Sequence, residues 1–83
     1  MPNITYYVVL PFIRGTDGDL IAIEAVETPT ESAAKRRAAS WALIPEVVGA
    51  IAFSRTGDPS MGDFADAVII GRYGETPDDA EFG

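Results

Sequence analysis

The chain has 83 residues, of which 47% are hydrophobic, and it contains neither Cys nor His. Six basic and thirteen acidic residues give a formal net charge of −7. The length predicts one domain. Without Cys there is no disulfide framework or thiol nucleophile, and without His the commonest general base and metal ligand are missing. We therefore predict no cofactor, metal or catalytic residue, and the negative charge disfavours nucleic acid and membranes as partners.

The N-terminal part of the chain is predicted to form a hairpin of two strands. Residues 4–13 are dense in β-branched and aromatic residues, and Pro11 marks an edge position or the end of that strand. Turn-forming residues at 14–19 then lead into a second strand at 20–27. The first apolar run is shorter than the about 20 residues that span a bilayer, and no basic residue precedes it, so we expect a soluble cytoplasmic protein.

A helix is predicted to follow and to end at Pro45. Thr28 suits the N-cap, with Pro29 at the first helical position and Glu31 completing a capping box; Thr30 is the competing cap. The sequence after the cap is rich in Ala, a strong helix former. One face carries small residues and a single aromatic residue, so it can lie close to a sheet: Ala34, Ala38, Trp41 and Ala42.

The C-terminal part is predicted to contain two more strands, at 47–54 and 65–73, joined by a polar connection at 55–63. Residues 74–83 carry several acids and no base, which predicts a flexible acidic tail after a domain of residues 1–73. The order ββαββ indicates an α+β fold. We expect a four-stranded antiparallel sheet in the order 2-1-3-4, with the helix packed on one face.

Both faces of this predicted sheet are apolar, whereas an antiparallel sheet with one solvated face alternates between apolar and polar residues. Its strands make a face of roughly 500 Å², and a helix of about 15 residues covers roughly 220 Å² of it. Monomers seldom expose apolar patches larger than roughly 300–600 Å². We therefore expect a second copy to cover the open side, most simply in a two-fold dimer. Alternatively, the 55–63 connection and the tail fold back over that side.

Aromatic and charged side chains on the strands and helix are candidate ligand or interface residues: Tyr6, Tyr7, Glu24, Trp41, Phe53, Arg72 and Tyr73. The aromatic ones either line a small pocket between helix and sheet or, as is more common for such residues, belong to the core or an interface. Glu24 lies inside a predicted strand, where it is either a buried acid or, as we favour, the partner of Arg72 or Arg14.

Two further segments are weaker candidates for binding. The cluster Lys35, Arg36 and Arg37 points in three directions on a helix, which favours a solvated face over an anion site. Residues 58–63 have the acids of a cation loop, but Pro59 and Met61 break its ligand pattern, so a turn is predicted.

The segment at 48–59 (VGAIAFSRTGDP), followed by DAVII at 66–70 and Gly74, resembles small bacterial proteins of uncharacterised function. The resemblance covers about the C-terminal two thirds of the chain and implies no catalytic residue. The ββα start is similar to small antitoxin and double-stranded-RNA-binding folds, whose basic surface this chain lacks.

Together these features predict a non-catalytic homo-oligomer that acts through protein–protein contacts. One alternative is a module that binds a small ligand at a dimer interface near Trp41 and the tyrosines. Another is an enzyme that works without His or Cys, which needs a pocket containing Glu24 and a second carboxylate.

Overall fold

The computed structural model describes residues 3–77, which form an α+β fold with one helix and a curled antiparallel sheet. The described elements, in chain order, are β1 (Ile4–Arg14), β2 (Leu20–Ala22), β3 (Val26–Thr28), α1 (Glu31–Trp41), β4 (Gly49–Asp58), β5 (Asp63–Phe64) and β6 (Val68–Gly74).

The two long strands, β1 and β4, form the centre of the sheet and pair from Ile4 opposite Gly57 to Phe12 opposite Gly49. The short strands β2 and β3 both pair with β1, and β5 and β6 both pair with β4. Every one of these described pairings is antiparallel.

The predicted second strand is interrupted at residues 23–25, which belong to neither β2 nor β3, although the Ile23 N–H still donates to Pro11 O at 2.9 Å. Phe12 pairs with Ala22, and Val9 pairs with Val26. Residues 23–25 therefore lie opposite only two residues of β1, Leu10 and Pro11. One of those two is Pro11, which has no N–H to donate to the ladder. The extra residue is therefore accommodated as a bulge.

The helix begins later than the favoured sequence interpretation placed it. Thr30 is the N-cap, and its side-chain oxygen accepts a hydrogen bond from the Ala33 N–H at 3.0 Å. Thr28 is the last residue of β3 and pairs with Tyr7, so the prediction of Thr28 as the cap was wrong and the competing cap is confirmed. With Thr30 as the cap, Ala33 occupies the third helical position, so Glu31 cannot complete a capping box.

The helix also ends earlier than Pro45, at Trp41. Residues 42–46 continue in tight turns, in which Leu43 N–H donates to Ser40 O and Ile44 N–H donates to Trp41 O. Such i to i−3 bonds are typical of the last turn of a helix, and a proline disfavours helical geometry at the residue before it.

Two residues of the predicted small-residue face of α1 lie in the core. Ala34 and Ala38 are fully buried and form a core cluster with three sheet residues: Val9, Ala50 and Ala52. Because Cβ atoms are the only side-chain groups of alanine, the helix backbone can approach the sheet closely at this cluster.

The 55–63 segment is more regular than its composition suggested. β4 continues to Asp58, and after a turn at 59–62 the chain returns as β5, which pairs with β4 through Gly57–Phe64 and Asp58–Asp63. β6 ends at Gly74, and the Glu75 N–H donates to Val48 O. The rest of the predicted acidic tail, residues 78–83, lies outside the described residues.

Candidate functional site

The side of the sheet that faces away from the Ala34–Ala38 cluster is here called the open face. Its members follow from the register, since directly opposed residues point to the same side of a sheet and successive residues alternate. Most of them are apolar or aromatic: Ile4, Tyr6, Val8, Leu10, Phe12, Ile51, Phe53, Phe64 and Ile69, accompanied by Arg55 and Arg72.

Burial along the open face is uneven. Ile51 is fully buried and Phe12 is only 4% exposed, whereas Ile4 at the other end of β1 is 44% exposed. The buried end lies beside Arg72, which pairs with Ile51 in register. The guanidinium of Arg72 donates to the Thr76 hydroxyl at 2.9 Å and to Pro77 O at 2.7 Å. The chain after β6 is thereby held beside this end, while the centre of the face stays half-buried.

The candidate aromatic residues do not meet in one pocket between helix and sheet. Tyr7, Trp41 and Tyr73 pack against the core cluster on the helix side. Tyr6 and Phe53 lie on the open face. They alternate along β1 and β4 with the core residues Val9 and Ala52, which point to the helix side. The alternative of one shared pocket thus finds no support, and the residues on the helix side belong with the core. Neighbouring strand residues alternate between the two faces, which separates Tyr6 from Tyr7.

Trp41 combines apolar packing with a polar atom that lacks a partner. Its indole Nε1 is buried and makes no hydrogen bond within the described part of the chain. The side chain borders a small surface concavity of about 220 Å³, shared with Arg37, Ser40 and Ile44. A buried indole N–H normally has an acceptor. Because this one has none among the described residues, it contributes no hydrogen bond to the stability of the protomer.

Glu24 is neither buried nor paired with an arginine among residues 3–77. It is exposed in the interruption between β2 and β3. Arg14 forms an ion pair with Glu75 instead, and Arg72 bonds to Thr76 and Pro77. The expected pairing of Glu24 is thus wrong, and the enzyme alternative loses the buried carboxylate on which it depended.

The two weaker candidate segments have ordinary structural roles. On α1, Lys35 pairs with Glu31 at 3.2 Å, and Arg36 and Arg37 are exposed. At 58–63, the Asp58 carboxylate accepts bonds from the N–H and hydroxyl of Ser60, at 3.0 and 2.6 Å. An aspartate that bonds two residues ahead is characteristic of an Asx turn, as predicted for this segment. No group of residues suited to holding a metal occurs between residues 3 and 77.

A concavity lies at the exposed end of the open face, where the sequence pattern indicated no site. Its volume is about 410 Å³, and it is lined by Tyr6, Val8, Arg55, Gly62, Asp63 and Phe64. It exists because β5 returns beside β4 and places Phe64 next to both Tyr6 and Arg55. The Tyr6 and Phe64 rings are 5.9 Å apart and inclined at 47°, and the Arg55 guanidinium lies 5.9 Å from the Phe64 ring centre.

Comparison with known proteins adds no relative from which a role can be transferred. The chain matches no protein-family model, and neither curated proteins nor solved structures give a significant match. Within residues 3–77, no helix is long and apolar enough to cross a membrane.

Proposed function

We propose that this protein is a non-catalytic homo-oligomer, most simply a two-fold dimer, that associates through the open face and acts through protein–protein contacts. The observation that carries the proposal is the composition of that face. Along β1, the side chains Ile4, Tyr6, Val8 and Leu10 follow one another on the side away from the helix. No charged residue and no Ser or Thr interrupts this row.

The surrounding residues give the open face the composition of an interface. Phe53 and Ile69 extend the apolar row across β4 and β6. Two charged side chains lie beside the row, Glu27 opposite Val8 on β3 and Arg55 opposite Tyr6 on β4. Aromatic residues and Arg are enriched in protein–protein interfaces.

The dimensions of the chain also support association. The accessible surface is 5275 Å², whereas a compact monomer of this mass exposes about 4800 Å². The radius of gyration is 13.3 Å, against about 12 Å for a compact chain of this length. The smallest principal extent is 17 Å. A flat protomer gains apolar burial when a second copy packs on its sheet, since facing sheets lie about 10 Å apart.

The proposal includes the simpler topology expected from the sequence. We treat β2 and β3 as one bent strand, and β5 and β6 as another, so that the fold is ββαββ with the helix on one face. Supporting this, β2 and β3 pair with the same strand, as do β5 and β6. The core residues Val9, Ala50 and Ala52, which pack with α1, alternate with the open-face residues.

Sedimentation velocity of the full chain over about 1–500 µM tests self-association. We expect a concentration-dependent shift from the 8.8 kDa protomer mass to twice that value. Val8→Arg places a charge at the centre of the open face and should abolish the shift, because removing a guanidinium from water between two apolar surfaces is costly. Ile69→Lys introduces a charge on a neighbouring strand and should have the same effect.

Ala39→Arg is the matched control, because Ala39 is exposed on α1 and lies off the open face. It adds the same side chain and should leave the sedimentation profile unchanged. Circular dichroism of each variant separates loss of association from loss of folding. A wild-type chain that sediments as a protomer throughout the concentration range contradicts the proposal, as does equal dimerisation of wild type, Val8→Arg and Ile69→Lys.

A further inference from the structure

The concavity at the exposed end of the open face, here called the Arg55 pocket, has features of a ligand site that one protomer supplies alone. It is lined by Tyr6, Val8, Arg55, Gly62, Asp63 and Phe64. Its volume of about 410 Å³ lies at the lower end of the range for small-molecule sites, which is about 300–1,000 Å³. A ligand of one ring and a short substituent matches this size.

Among the described residues, Arg55 is the only cation lining this pocket, and it is held in place by its surroundings. Its Nε donates a long hydrogen bond to Ala65 O at 3.4 Å, and its guanidinium lies over the Phe64 ring. Within residues 3–77 no carboxylate forms an ion pair with it, in contrast to Arg14 and Lys35. The terminal N–H groups of the guanidinium fork therefore remain available to an incoming anion.

The walls of the Arg55 pocket select for an aromatic or flat apolar group beside that anion. Tyr6 and Phe64 present two inclined rings, and Val8 adds an aliphatic surface. Offset or edge-to-face packing against such rings is favourable beyond simple burial. A guanidinium fork binds a carboxylate through two parallel hydrogen bonds.

The charge of the chain argues for a monoanion rather than a phosphate. The formal net charge is −7, and Asp63 also lines the pocket. A dianion meets about twice the repulsion from these charges but gains only one guanidinium partner. The net charge thus leaves a carboxylate as the favoured anion.

We propose that the Arg55 pocket binds a small aromatic carboxylate, with Arg55 pairing with the carboxylate and the Tyr6 and Phe64 rings packing against the ligand ring. The pocket belongs to one protomer, so this proposal does not depend on self-association.

An NMR titration of the ¹⁵N-labelled full chain with benzoate up to about 20 mM tests the site. We expect saturable shifts of the Phe64 and Ala65 amides and of the Arg55 side-chain N–H. Benzamide, which keeps the ring but lacks the charge, should bind at least tenfold more weakly, and so should acetate, which lacks the ring. Phenyl phosphate should also bind more weakly than benzoate.

Arg55→Gln removes the cation and should weaken benzoate binding at least tenfold, while Arg36→Gln on the exposed helix face should leave it unchanged. The spectrum of each variant without ligand shows whether the chain is folded. Should Arg55→Gln unfold the chain, Arg55→Lys and Tyr6→Ala provide the comparison, and each should weaken binding. Unchanged affinity in these variants, shifts centred on residues 35–37, or equal affinity for benzamide overturns the proposal.

Discussion

The N-cap of the helix offers the sharpest test of the local structure, because two threonines two residues apart have different roles. The Thr30 side-chain oxygen accepts the Ala33 N–H at 3.0 Å and satisfies one of the first helical donors. Replacing such a cap by alanine costs about 1 kcal/mol. Unfolding entropy is about 2.1 cal/mol/K per residue, so this loss lowers the Tm of a chain of this length by about 6 °C.

Thr28 is the matched comparison for Thr30→Ala. Its hydroxyl donates to Tyr7 O and Thr30 O at 3.4 and 3.2 Å, which are long for such bonds. Thr28→Val keeps the β-branched shape that suits a strand, so we expect a loss below about 0.5 kcal/mol. Thermal unfolding followed by circular dichroism measures both variants, with Thr30→Ser retaining the cap. A larger loss for Thr28→Val than for Thr30→Ala refutes this assignment of the helix start.

Two further predictions concern close packing and the buried indole. Gly49→Ala should destabilise the chain by about 1–3 kcal/mol in urea unfolding, because the added Cβ collides with the backbone of Glu75. Gly15→Ala is its control, since the added Cβ there meets mainly the flexible end of the Ile21 side chain; equal losses for the two variants contradict the explanation. Trp41→Phe loses apolar contact but no hydrogen bond, so its unfolding free energy should fall by less than about 1.5 kcal/mol; a loss above about 3 kcal/mol contradicts this prediction.

The elements that sequence reasoning predicted well are those whose signals lie within the element itself. The first strand was placed from its β-branched and aromatic residues, and β1 differs from that prediction by only one residue at its end. The signal for the small-residue face of the helix also lies within the helix, because Ala34 and Ala38 repeat at the helical spacing. Both residues are buried.

The errors arose where a residue's structure depends on a distant part of the chain. Thr28 has the composition of a helix cap, but pairing with Tyr7 keeps it in a strand. The interruption of the second strand lies opposite Pro11 on β1, so the sequence of 20–27 alone does not reveal it. A single pocket for the aromatic residues, the less favoured alternative, finds no support either, because alternation sends Tyr6 and Tyr7 to opposite faces.

The Arg55 pocket could not be predicted from composition for the same reason. Residues 55–63 contain the Gly, Pro, Ser and Asp residues of a polar loop, which concealed the continuation of β4 and the return of β5. Only the pairing of Gly57 with Phe64 brings the Phe64 ring to the same face as Tyr6 and Arg55. Close approach matters there, because an added Cβ on Gly57 collides with the backbone of Asp63 and Phe64.

The open face places both proposed binding events on overlapping parts of one surface, which share Tyr6 and Val8. Its Ile51 end is closed, since Arg72 holds Thr76 and Pro77 beside it. Val8 lines the Arg55 pocket and also lies at the centre of the face. A partner that contacts Val8 therefore changes the surroundings of a ligand in the pocket. If ligand binding changes the affinity between protomers by some factor, dimerisation must change the affinity for the ligand. Thermodynamic linkage requires the two factors to be equal.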